Sequence, residues 1–165
     1  MRDSGMITFS FEPRAEDVSW SPDQRPENPD RPEHPELTGA DFSLSFFRAD
    51  VRLLLHGVDL GLRTPGLSVV DFALMLEYAR RELETRSDIA VETSVTQHVF
   101  SLSRGPETVT VTTNYAPGAA ELTWAELCRL TDRAKAEAFR LITTAHPELR
   151  DNAWLRETVG VPSAT

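Results

Sequence analysis

TQHVFSLSRGPETVTVTTN, residues 96–114, decides the fold. On either side of the turn Arg104-Gly105-Pro106-Glu107, apolar side chains fall at every second position: Phe100 and Leu102 before it, Val109 and Val111 after it. A period of two is the signature of strands with one buried face, so Thr96–Ser103 and Thr108–Asn114 form a hairpin. Thr108, Thr110 and Thr112 make its wet face, as suits an antiparallel sheet open to solvent on one side.

Downstream, the period changes. Thr123-Trp124-Ala125-Glu126 has the form of a capping box, and the segment it opens places Leu127, Leu130, Ala134, Ala138, Leu141 and Ala145 on one helical stripe. That helix stops at His146, before Pro147, and a short third helix is expected from Pro147 or Glu148 to Thr158, with Gly160 at its exit.

Upstream lie a strand at Ile89–Glu92 and a helix from an N-cap at Ser68 to about Arg86. Val69, Phe72, Ala73, Leu76, Ala79 and Leu83 share its apolar stripe. Thr64-Pro65-Gly66 breaks the chain before it, and His56-Gly57 turns the chain into a short strand at Val58–Leu62. Val51, Leu53 and Leu55 alternate, as do Phe42, Leu44 and Phe46, but the parity slips between the two sets. A bulge or tight hairpin near Arg48-Ala49-Asp50 would restore a common face. Met6–Glu12 alternates Ile7, Phe9 and Phe11 with polar residues and reads as one more strand.

These elements predict an α+β fold: a mostly antiparallel sheet of about five strands, with two long helices and a short C-terminal helix on one face. Residues 1–12 supply an N-terminal strand joining the sheet, residues 13–37 a proline-rich acidic arm or long loop, and residues 38–165 a single α+β domain.

The arm holds prolines at 13, 22, 26, 29, 32 and 35, which exclude helix and central strand. Its run PENPDRPEHPE, residues 26–36, repeats every three residues, the period of polyproline II, so Glu27, Asp30, Glu33 and Glu36 would line one edge of a rod about 30 Å long. Such a segment serves either as a stiffened solvated linker or as a recognition surface. Trp20, with Val18 two residues before it, is placed to tack the arm onto the domain.

With 26 Asp and Glu against 17 Lys and Arg, the net charge is −9, which opposes binding to nucleic acid or an anionic membrane and favours a basic protein partner. Met1–Phe9 lacks the form of a secretory signal, and no apolar run reaches the roughly 20 residues of a membrane span. Cys128 alone cannot form an internal disulfide, and a cytoplasmic location is expected.

His34, His56, His98 and His146 are scattered without ligand spacing, and no phosphate loop, G-x-S-x-G elbow or H-x-x-x-H pair occurs. No catalytic, cofactor-binding or metal-binding residues are therefore expected. His98 shares the inward parity of Phe100 and reads as a core histidine or a partly buried base, while His146 suits a helix C-terminus. Cys128 beside the Leu127 stripe reads as a buried structural thiol. Asp41, Asp50 and Asp59 are evenly spaced; turn and edge roles explain them more simply than a magnesium cluster.

VRLLLHGVDLGLRTPGLSVVDFALML, residues 51–76, followed by a hairpin and an amphipathic helix, resembles small acidic proteins of bacterial toxin and immunity systems and their uncharacterised relatives, over Asp41–Ala145. The resemblance implies a non-catalytic inhibitor that occludes a basic toxin with acidic surface. A protein-binding module with Trp20, Glu27, Asp30, Glu33 and Glu36 as contacts is the first expectation. The alternatives are a small-molecule-binding protein or enzyme with a pocket near His98 and Trp124, and a structural or regulatory subunit of a larger assembly.

Overall fold

The computed structural model describes residues 5–28, 30, 36–94 and 97–160. The chain is α+β, but its strands form two antiparallel sheets. The first joins β1 (Ile7–Pro13), β2 (Ala49–Leu55) and β3 (Val58–Asp59) in that order; the second joins β4 (Asp88–Glu92), β5 (Val99–Arg104), β6 (Thr108–Thr113) and β7 (Ala120–Thr123). The single sheet of about five strands is thus corrected to seven strands in two sheets among the described residues. Alternation marks which residues face the core without saying which edges pair, and α1 (Val69–Glu82) intervenes between β3 and β4.

Phe72 of α1 joins the halves. Its ring stacks on Phe9 at 6.0 Å, meets Phe11 edge-on at 5.8 Å in the first sheet, and meets Phe100 at 6.0 Å in the second. Tyr115, in the loop after β6, adds a polar tie by donating its hydroxyl to the Leu60 carbonyl at 2.7 Å. Burial, reinforced by the charge of Asp59, pushes that phenol's pKa well up, so it stays a donor. α1 packs against α2 (Trp124–Ala145), and the interior is one continuous cluster running through both helices and both sheets.

Local signals behave as their chemistry requires. Ser68 caps α1 by accepting from the Val70 N–H, and α1 ends at Glu82 with turns carrying the chain to Arg86. Thr123 and Glu126 form the reciprocal capping box of α2. The buried stripe of α2 runs through Leu127, Leu130, Thr131, Ala134, Ala138 and Ile142, which leaves Leu141 and Cys128 at its margin, half-buried. Cys128 is therefore not an enclosed core thiol. The expected third helix is divided: a tight turn at Pro147–Asp151 precedes α3 (Ala153–Val159), and Asn152 caps α3 by accepting from the Leu155 N–H.

The strand expected at Asp41–Phe46 is a wide helical turn instead. Thr38 and Asp41 form a capping box of their own, with the Thr38 N–H donating to Asp41 Oδ2 at 2.8 Å and the Asp41 N–H reaching Thr38 Oγ1 at 3.4 Å. The turn closes by an i to i+5 bond from the Phe46 N–H to the Asp41 carbonyl. It buries Phe42 and leaves Leu44 44% exposed, so the apparent alternation has no sheet behind it. Phe47, fully buried at φ 61°, makes the parity change in place of a bulge. His56 and Gly57 both take positive φ, at 48° and 89°, the geometry of a two-residue hairpin turn, and β3 is shorter than expected. β7, unforeseen from sequence, is four residues long with Ala120 and Leu122 inward.

Candidate functional site

The proline-rich segment is a loop fastened at both ends of its described part. At the start, Asp17 Oδ2 accepts the Arg48 N–H at 2.7 Å and Ser19 Oγ accepts the Phe47 N–H at 2.8 Å, both across to the chain entering β2. His146 Nε2 donates to the Ser19 carbonyl at 2.6 Å, which gives this buried histidine at the end of α2 a structural task. Trp20 is half-buried, with its indole N–H on the Arg48 carbonyl at 2.7 Å and its ring edge-on to Phe47. Val18, expected to share the tacking, is 67% exposed because the short helical turn at Val18–Trp20 rotates it outward.

At the far end, Asn28 Nδ2 donates to Asp41 Oδ1 at 2.8 Å, and Asn152 Nδ2 donates to the carbonyl of buried Leu37 at 3.0 Å. Gly39 then lies so close to Trp154 that a Cβ there would sit 2.5 Å from the indole Cε2, and Trp154 in turn stacks on Phe42 at 5.6 Å. Only a glycine admits that approach.

The described acidic residues of the repeat face water. Glu27, Asp30 and Glu36 are exposed; Glu33 and most of the three-residue repeat lie outside the described residues. Where the loop returns beside α3 it forms an open groove of about 890 Å³, lined by Glu36, Glu148 and Asp151 with Arg25, around the half-buried face of Trp154. The loop's Glu36 thus meets two carboxylates that lie more than 110 residues downstream in the chain, Glu148 and Asp151. Charge periodicity could not have revealed those two; the acid-rich PELRD stretch, residues 147–151, was the only local signal.

Other titratable groups are engaged in the fold. His56 Nδ1 donates to the Gly5 carbonyl at 2.7 Å and its Nε2 lies 3.2 Å from Glu126 Oε2. Both ring nitrogens thus face oxygen atoms of the protein itself. Burial alone would raise the Glu126 pKa, but hydrogen bonds from the Thr123 backbone and from His56 outweigh it and hold the carboxyl below its ordinary range. His98 sits edge-on to Tyr115 at 4.9 Å, whereas Trp124 carries the Arg104 guanidinium 3.7 Å above its ring.

Asp41 is used in the capping box, Asp50 binds Arg14 at 2.6 Å, and Asp59 accepts the Gly61 N–H at 2.9 Å. Asp50 and Asp59 do share an outer groove of about 520 Å³ with Glu12, but Arg52 and Arg63 line it too. Among the described residues no three His, Cys, Asp or Glu side chains are placed to hold a metal ion, and no helix is long and apolar enough to cross a membrane.

No protein-family model matches the chain, and no curated protein or solved structure matches it either.

Proposed function

We propose that the protein is a non-catalytic binding module that receives a basic protein partner on the acidic groove between the proline-rich loop and α3. The convergence of Glu36, Glu148 and Asp151 around an accessible indole carries this reading. Clustered carboxylates steer a cationic surface, and a tryptophan face beside them accepts an arginine side chain by stacking. The pinned loop supports it further, because holding Glu36 in place lowers the ordering cost of binding. An immunity-type inhibitor of a basic toxin is the finer form of the proposal, resting on the resemblance over Asp41–Ala145 and on net charge.

Neutralising the loop as Glu27→Gln, Asp30→Asn, Glu33→Gln and Glu36→Gln retains every proline. Affinity purification from the native host with this variant and with wild type tests the reading. A basic protein held by wild type in low salt, and lost from the variant, is expected; an identical set of captured proteins would exclude the loop.

A further inference from the structure

The free edge of β4 offers a second surface, independent of the loop. Among the described residues β4 ends its sheet, pairing with β5 alone. The bonds from the Thr93 N–H to the His98 carbonyl and from the Arg104 N–H to the Ser87 carbonyl set the alternation: residues 87, 89, 91 and 93 face β5, so the N–H and C=O groups of Asp88, Ala90 and Glu92 point outward. All three residues are exposed.

Alongside this edge runs a cleft of about 410 Å³ between β4 and α1, whose apolar wall is Leu74, Met75, Tyr78 and Val91. Tyr78 is 53% exposed there. At one end of the cleft Asp71, in the first turn of α1, ties the chain leaving β4 to the helix: its carboxylate accepts the Ser94 N–H at 2.8 Å and the Ser94 hydroxyl at 2.5 Å. A strand edge beside an apolar cleft walled by a helix is the arrangement by which peptides are bound through strand addition.

We infer that β4 accepts an extended segment of another protein carrying basic residues four apart with apolar residues between them. Side chains opposite Asp88 and Glu92 share the open face with those carboxylates and are matched by lysine or arginine. Side chains opposite Ile89 and Val91 fall on the other face, where Val91 lines the cleft, and are matched by valine or isoleucine. Charge also decides against a second copy of the chain: full antiparallel overlap of two β4 edges about Ala90 sets Asp88 against Glu92 twice, and like charges directly opposite destabilise a pair.

The probe is a soluble peptide with the core Lys-Val-Thr-Val-Lys, titrated into the ¹⁵N-labelled full chain. Saturable shifts and slowed amide exchange at Asp88, Ala90 and Glu92 are expected. Binding should weaken at least about tenfold with Asp88→Arg/Glu92→Arg, and weaken similarly for Tyr78→Ser, an exposed change that leaves the strand intact. A peptide with Glu in place of both Lys, or Pro in place of Thr, should not bind.

Equal binding of the proline peptide overturns strand addition, as does indifference to Asp88→Arg/Glu92→Arg. A dimer that dissociates in that double variant overturns the choice of occupant. Shifts confined to Glu36, Glu148 and Trp154 also overturn it while favouring the loop groove. Neutralising the loop should leave the β4 response unchanged, so either surface can fail alone.

Discussion

Replacing Asn152 separates the two tasks that one side chain performs at the base of the groove. Its Oδ1 caps α3 through the Leu155 N–H, and its Nδ2 holds the Leu37 carbonyl, where the loop re-enters the domain. Both Asn152 and Leu37 are buried, at 7% and 4% exposure, so water cannot replace either bond freely. Losing an N-cap costs about 1 kcal/mol, and stranding a buried carbonyl costs about 1–3 kcal/mol.

Asn152→Ala should therefore lower stability by about 2–4 kcal/mol. Asn152→Asp keeps the acceptor for α3 and places a negative charge at its N-terminus, but turns an oxygen toward the Leu37 carbonyl. It should cost only about 1–3 kcal/mol while releasing the loop as fully as alanine does. Guanidinium titration reads the stability, and a glutamate-specific protease reads the release by cleavage after exposed Glu36. An aspartate variant as stable and as resistant as wild type would refute the assignment of Nδ2 as the clasp.

Further expectations follow from the same contacts. Phe72→Ala removes the ring shared by the two sheets and should cost about 3–5 kcal/mol, read by denaturant titration. Gly39→Ala forces Trp154 off Phe42 and should destabilise by about 1–3 kcal/mol, with a change in tryptophan emission. Because Glu126 titrates below its ordinary value of 4.5, its carboxylate stabilises the fold above that pH and the contribution fades as pH falls through the depressed value. The stability gap between wild type and Glu126→Gln should thus be full near pH 7 and shrink as the pH is taken below the ordinary carboxylate range in a urea series.

What could be read in advance was local. The capping box at Thr123 and Glu126, the N-cap at Ser68 and the Phe100–Val111 hairpin each depend on neighbours within a few residues, and each appears where expected. The Thr38–Asp41 capping box was equally local, yet the alternating Phe42, Leu44 and Phe46 concealed it; a reciprocal cap on a buried Asp41 outweighs three residues of pattern. The split into two sheets, and the bond from His146 to Ser19 across 127 residues, depend on long-range packing that no short window contains. The groove belongs with these. Glu36 stood out by its period, whereas Glu148 and Asp151 acquire meaning only once Asn152 clasps Leu37.

A charge-matched comparison tests the groove most directly. The triple variant Glu36→Gln, Glu148→Gln, Asp151→Asn and a control triple at exposed acids elsewhere, Glu107→Gln, Glu121→Gln, Asp132→Asn, change net charge equally. With affinity for the partner captured by wild type measured across a salt series, the groove triple should lose binding and most of its salt dependence while the control stays close to wild type. Equal losses in both, or none in either, would contradict the groove as the binding site.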